Sequence, residues 1–200
     1  MIVDKEQKVI QTAVWKWYTW PEFYSPEQCK TISDFLDENW SGTEDPITGA
    51  KDKYGVSKKQ IKTVKTIEYG KVKHLVGGLV NHAYHHAQHS FGYDMFGPTD
   101  HETLLWNTYS DKDKDFYTWH FDESNNAVHD IKLSILINLS PEPFEGGEFQ
   151  TYCYDIDEHP DYNKPGSAIM FKSHFNHRVL PVTKGTRKTL AMFMCGPRFR

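Results

Sequence analysis

The stretch that decides the reading is Phe116-Tyr117-Thr118-Trp119-His120-Phe121-Asp122. Its aromatic residues and threonine favour extended backbone, and in a strand positions i and i+2 share a face. His120 and Asp122 then point one way, with Trp119 and Phe121 turned to the other side. An imidazole and a carboxylate at neighbouring same-face positions can reach one metal ion. A third ligand has to come from another strand. Two histidines and one carboxylate would leave coordination positions open for exogenous molecules. The motif alone is weak: with 11 His and 27 Asp+Glu in 200 residues, a second match, His159-Pro160-Asp161, arises in the polar stretch DIDEHPDYNKPG (155–166). That stretch reads as a loop, so it lacks the fixed same-face geometry.

Around this segment the chain reads as short strands. FGYDMF (91–96), TLLWNTY (103–109), FYTWHFD (116–122), IKLSILINLS (131–140), GEFQTY (147–152), SAIMF (167–171), HRVLPV (177–182) and TLAMFM (189–194) are separated by Gly, Pro, Asp or Asn clusters. Before them come two helices. Ser25 caps the first, with Pro26 at the first helical position and Gln28 three residues after the cap, and Ile32, Phe35 and Leu36 follow at helical spacing to about Asn39. The second runs from about Lys71 to Ser90, with Val72, Leu75, Val76, Leu79, Ala83 and Ala87 along one side. Upstream, AVWKWYTWPEF (13–23) reads as a strand ending in a turn at Pro21, and residues 41–60 as a polar surface loop. Helices first and strands second predict a mainly β fold with supporting helices. We expect one domain over residues 1–200, with the helical part (about 26–90) buttressing a β core (about 91–200).

Bulk properties exclude several classes. A net charge of −4 gives no general attraction to nucleic acid or anionic membranes. No apolar run of 18 residues exists to span a bilayer, and MIVDKEQKVI (1–10) lacks the pattern of a secretory signal. Cys29, Cys153 and Cys195 are odd in number and far apart, which suits a reducing, intracellular or cytoplasmic setting rather than a disulfide framework.

The C-terminal stretch GSAIMFKSHFNHRVLPVTKGTRKTLAMFMCGP (166–197) completes the pattern. His177-Arg178-Val179 lies 55 residues beyond Asp122 (122 to 177), and Arg187 follows ten residues after His177, past a turn at Gly185. With these spacings the chain resembles the 2-oxoglutarate- and Fe(II)-dependent dioxygenases, especially their prolyl-4-hydroxylase-like branch. Gly146-Gly147-Glu148 is similar to the family's turn after the first half of the barrel, and Gly166–Phe171 to its strand before the second histidine. Asn107-Thr108-Tyr109 resembles a segment whose tyrosine reaches the co-substrate, and Tyr117 a pocket tyrosine. The resemblance covers most of residues 20–200.

It implies a double-stranded β-helix (jelly-roll, cupin-like) core, with Fe(II) held by His120, Asp122 and His177. It implies 2-oxoglutarate and O2 as co-substrates, with ascorbate as a supporting reductant. Arg187 would bind the far carboxylate of 2-oxoglutarate, and Tyr109 and Tyr117 would line its site. The implied reaction is hydroxylation of a C–H bond of a peptidyl, prolyl-like, or amino-acid substrate. Oxidation of a small metabolite or alkylated nucleobase, and a cupin-like metal-binding module without activity, are the alternatives. Oligomeric state is open.

Other residues compete for attention. His174 rivals His177 locally but lacks the His-x-Val context and the Arg187 offset. His82, His85, His86 and His89 include i,i+3 and i,i+4 pairs, read best as the solvated face opposite the apolar stripe. Trp15, Trp17, Tyr18 and Trp20 and the loop at 41–60 are candidates for the rim of the entrance.

Overall fold

A computed structural model describes residues 15–42, 59–61, 63–123 and 128–199, and the backbone of 2–3 and 9–10. Ile2–Val3 (β1) and Val9–Ile10 (β2) pair antiparallel. Trp17–Trp20 (β3) leads through a turn at Pro21 into Pro26–Glu38 (α1). Lys59–Gln60 (β4) and Thr63–Glu68 (β5) precede Tyr69–His89 (α2). The rest is extended: Thr103–Ser110 (β6), Phe116–His120 (β7), His129–Asn138 (β8), Glu145–Gly146 (β9), Phe149–Cys153 (β10), Asp155–Glu158 (β11), Ala168–Lys172 (β12), Asn176–Val179 (β13), Val182–Lys184 (β14) and Thr186–Pro197 (β15).

These strands form two larger antiparallel sheets, a six-stranded one ordered β3-β12-β8-β15-β6-β5 and a five-stranded one ordered β11-β10-β13-β7-β4. That is the expected mainly β fold, and the sheets face each other as a jelly roll. Strand alternation decides which residues go where. In β8, Leu133, Ile135 and Ile137 turn to the helices, while Ser134, Leu136 and Asn138 turn to the barrel interior. Leu190, Met192 and Met194 of β15 and Ala168 and Met170 of β12 continue the helix-side layer. Against it pack Cys29, Ile32 and Leu36 of α1 and Val72, Val76, Leu79, Val80, Ala83 and Ala87 of α2. Each fully buried aliphatic side chain there contributes about 1.5–3 kcal/mol. The predicted capping box is present: Gln28 N–H donates to Ser25 Oγ at 3.2 Å, and Ser25 N–H to Gln28 Oε1 at 2.9 Å.

Several expectations are corrected. Residues 91–96 form no strand; that segment runs alongside the end of β15, with Phe96 N–H donating to Cys195 O at 2.9 Å. HRVLPV is not one strand. Pro181 has no N–H for a ladder, and the chain splits there into β13 and β14. DIDEHPDYNKPG begins with the edge strand β11 before its turn. The sheets also recruit β3, β4 and β5 from before residue 91. Most of the loop expected at 41–60, residues 43–58, lies outside the described residues.

Candidate metal centre and active site

β7 and β13 pair so that His120 and His177 stand directly opposite each other, with ring centroids 4.1 Å apart. β7 ends at His120, two residues short of the strand predicted from FYTWHFD. Asp122 keeps its aim because its N–H donates to Ser173 O at 3.0 Å. Trp119 turns to the outer face of the smaller sheet, 4.4 Å under the Arg178 guanidinium. Phe121, beyond the strand end, leaves the alternation and lines a cleft instead.

His120, Asp122 and His177 each offer one ligand atom, all within 4.8 Å of one another. His120 Nε2 is 4.0 Å from Asp122 Oδ1, and His177 Nε2 is 3.6 Å from Asp122 Oδ2. The other ring nitrogens are spoken for. His120 Nδ1 lies 2.8 Å from Thr118 O and His177 Nδ1 lies 3.0 Å from Phe175 O. A carbonyl can only accept, so Nδ1 carries the proton and Nε2 presents its lone pair to the centre. Burial pushes both histidines down to about 4, helped at His120 by repulsion from His177. Both are therefore neutral at ordinary pH, as ligation requires. Burial raises the Asp122 carboxyl, and the Ser134 hydroxyl, donating to Oδ2 at 2.5 Å, opposes that. The Tyr117 ring stacks on His120 at 3.5 Å and 11°, which fixes the imidazole plane.

Arg187 lies deeper, on β15 opposite Tyr109 in register, and is almost wholly buried at 1% exposure. Its Nη2 donates to the Tyr162 hydroxyl at 3.2 Å, and its guanidinium lies 5.3 Å from the Tyr109 ring centroid. Its Nε has no hydrogen-bond partner, and no carboxylate among the described residues pairs with it. Gly147, at φ +67°, lets the β9–β10 turn press against it: a Cβ there would meet Arg187 Cδ at 3.0 Å. Burial raises the Tyr109 and Tyr162 phenols, with the guanidinium opposing it, so both stay protonated.

Between Arg187 and the three candidate ligands is a cavity of about 140 Å³, walled by Tyr109, Tyr117, Leu136, Phe149 and Val179 among others. A wider cleft of about 620 Å³ opens on the other side of His120 and Asp122, lined by Phe96, Phe121, Ile131 and Phe193. The inner cavity has a cation at its far end and the three candidate ligands at its mouth, and the outer cleft reaches His120 and Asp122 from solvent.

The remaining sequence candidates fall elsewhere. His159 is buried and bonds Thr151 Oγ1 at 2.9 Å, while Asp161 pairs with Lys164 at 3.5 Å on the surface, so they form no site together. His174 faces Phe175 and Phe199, away from the cluster. His82, His85 and His89 are exposed as expected, but His86 is half-buried and stacks on Tyr18 at 3.9 Å. The aromatic rim is corrected: Trp15, Trp17, Tyr18 and Trp20 line neither cavity. Trp17 packs on His159 and Trp20 joins the helix-side core. Two contributors went unread in the sequence. Tyr162 sits in the stretch read as loop. Ser134 carried a signal, a hydroxyl at an inward position of an otherwise apolar strand.

The donor set suits a divalent iron. Two neutral imidazoles and one carboxylate leave open positions, and their ligand atoms, within 4.8 Å of one another, face a common point. The unpaired guanidinium across the cavity suits a dicarboxylate chelated at the metal end. Comparison with known proteins agrees. The model of the 2OG-Fe(II) oxygenase superfamily, enzymes that use Fe(II), 2-oxoglutarate and O2, matches residues 104–195 of this chain.

Solved structures are similar in fold. A prolyl-4-hydroxylase from Pseudomonas putida aligns at 13% identity and TM-score 0.67, covering 92% of this chain and 94% of that one. A viral collagen prolyl hydroxylase from Paramecium Bursaria Chlorella virus-1, as a 2OG complex, aligns at 13% and 0.62, covering 90% and 96%. A Trichoplax adhaerens prolyl hydroxylase, in complex with a hypoxia inducible factor peptide fragment, aligns at 16% and 0.62, covering 90% and 83%. No curated protein sequence matches significantly. Among the described residues no helix is long and apolar enough to cross a membrane.

Proposed function

We propose that this protein hydroxylates a C–H bond of a peptidyl, prolyl-like substrate, with His120, Asp122 and His177 holding Fe(II) and Arg187 binding 2-oxoglutarate. The observation that carries the reading is the buried Arg187, its Nε unpartnered, facing three metal-ligating atoms across one small cavity. A buried charge without a partner is costly. A co-substrate carboxylate in a forked pair with the guanidinium removes that cost and sets the orientation of the diacid.

When bound, iron and 2-oxoglutarate with O2 supply the oxidation: 2-oxoglutarate loses CO2 to become succinate with one oxygen atom, and the other enters the substrate C–H bond. The chain positions these reactants. Thr118 O and Phe175 O hold the histidine tautomers, and Ser134 holds one carboxylate oxygen of Asp122. Tyr162 and Tyr109 fix the guanidinium and stay protonated beside it. Phe149, Val179 and Leu136 give the inner cavity an apolar wall, which strengthens an ion pair formed there. The substrate enters by the outer cleft, past Phe121 and Phe193. Peptidyl chemistry is favoured by relatives described as prolyl hydroxylases, one of them bound to a peptide fragment.

The test is aerobic incubation of the Fe(II)-loaded protein with 2-oxoglutarate and proline-containing peptide pools. The expected result is succinate formation stimulated by peptide, together with a +16 Da product. Succinate stimulated only by an alkylated nucleobase or a small metabolite would transfer the reading to that alternative.

A further inference from the structure

The outer cleft has an uneven charge. Beyond the metal-ligating set, its ionisable side chains are Glu102, Glu123, His129, Tyr117 and Cys195, and none is Lys or Arg. Among the described residues neither glutamate forms an ion pair, although acidic neighbours outside the wall do: Asp130 is met by Lys132 at 3.8 Å and Arg198 at 3.9 Å, and Asp100 by Lys73 at 2.9 Å. Glu102 is half-buried, its backbone N–H donates to Thr99 O at 3.1 Å, and burial raises its carboxyl. Glu123 is exposed, one residue beyond the candidate ligand Asp122. Aromatic faces complete the wall: Phe96 and Phe121, each 47% exposed, with Phe193 deeper. Carboxylates beside aromatic rings at the edge of water attract an organic cation by charge and by the ring quadrupole together. A carboxylate-bearing substrate would meet like charge there and lose affinity. The cations Arg187 and Lys59 line the inner cavity instead, which separates an anionic co-substrate from a cationic substrate by place.

Building on the hydroxylase reading, we propose that the substrate is a peptide carrying a Lys or Arg side chain next to the residue that is hydroxylated, and that Glu102 and Glu123 select it. The cation lies between these carboxylates and the rings of Phe96 and Phe121, and the adjoining residue reaches past Tyr117 and Phe193 to the metal-ligating end.

The test compares three capped peptides, acetyl-GKPKG-amide, acetyl-GQPQG-amide and acetyl-GEPEG-amide, binding to the protein loaded with Fe(II) and 2-oxoglutarate without oxygen. The Lys peptide is expected to bind on the order of tenfold tighter than the Gln peptide. The Glu peptide should be weakest, and the gap should narrow as salt rises. In Glu102→Gln and in Glu123→Gln the Lys-to-Gln ratio should shrink, and in the double variant approach one. Because the ratio is taken within each protein, losses of folding or of iron cancel. Equal affinity of the Lys and Gln peptides, a ratio that survives both substitutions, or no binding by any of the three overturns the proposal. A parallel aerobic succinate assay separates the two readings. Succinate formed with no charge preference removes only this selection, whereas an iron-loaded protein that forms no succinate under any condition removes the hydroxylase reading itself.

Discussion

The two faces of the six-stranded sheet come from the same strands and do opposite things. Toward the helices, β8 and β15 present Leu133, Ile135, Ile137, Leu190, Met192 and Met194, a dry aliphatic layer sealed by α1 and α2. Toward the barrel, one residue out of phase, they present the buried polar residues Ser134, Asn138, Arg187 and Thr189 beside Leu136, Ala191 and Phe193. One face holds the molecule together, and the other walls the cavity that the proposed function fills with a co-substrate. A protein interior accepts polar groups only where they are satisfied. The interior face meets that condition at Ser134 through Asp122 and at Asn138 through Ser140 and Asn163, and leaves it unmet at Arg187 Nε. The proposed function places the co-substrate carboxylate at that unmet group.

This contrast can be broken by substitution. The largest effect is expected at the metal end: His177→Ala or Asp122→Ala should abolish stoichiometric Fe(II) binding and turnover. His174→Ala, outside the cluster, should leave binding stoichiometric. Titration of the metal-free proteins checks this, and a His177→Ala protein that still binds one Fe(II) tightly contradicts the assignment. On the helix face, Ile135→Ala should cost about 2–5 kcal/mol of unfolding free energy through the cavity it leaves. Its Fe(II) and 2-oxoglutarate affinities should stay near wild type in the folded protein. Denaturant unfolding beside ligand titration separates the two currencies, and a large loss of ligand affinity would show that the faces are not independent.

A smaller effect concerns pH. Burial lowers His159 to about 4 in the folded state, from an ordinary value of 6.5. The unfolded chain then takes up this proton below about 6.5 while the folded chain resists it. Its contribution to stability is whole above that pH and declines as pH falls toward 4. Asp122, raised by burial, has the opposite sign, so the comparison is best made between proteins rather than within one. His159→Gln should show a shallower loss of stability between pH 6.5 and 4 than wild type, by up to one proton in the slope. Parallel slopes in unfolding free energy against pH would refute it.

How much was legible follows from what each signal depends on. Strand period placed His120 and Asp122 on one face, and the family resemblance pointed to His177 and Arg187; the structure brings the first three together and sets Arg187 across the cavity from them. Both helices were readable because each has a long apolar stripe and α1 has a local cap. β5 carries no such signal. Its buried residues Val64 and Ile67 are three apart, one serving the barrel cluster and the other the helix cluster, so no period of two appears. Residues 91–96 alternate like a strand yet form none, since alternation says nothing of whether a partner edge is free. Tyr162 was hidden because its partnership with Arg187 exists only after the β11–β12 connection folds back over the barrel. The Trp15–Trp20 aromatics looked like a pocket rim by composition, but in β3 Trp17, Tyr18 and Trp20 pack into the two hydrophobic clusters, and Trp15 precedes the strand and is exposed.

The central claim is that Arg187 sits buried and incompletely partnered because a dicarboxylate completes it. The most direct measurement is 2-oxoglutarate binding to the Fe(II)-loaded wild type and to Arg187→Ala without oxygen. Removing one partner of a buried charge pair costs roughly 2–5 kcal/mol, which corresponds to binding about 30- to several-thousand-fold weaker. Arg187→Lys should recover part of this, since it keeps the charge and loses the planar fork, and Fe(II) affinity without 2-oxoglutarate should change little. Equal 2-oxoglutarate affinities in folded wild type and Arg187→Ala would contradict the account.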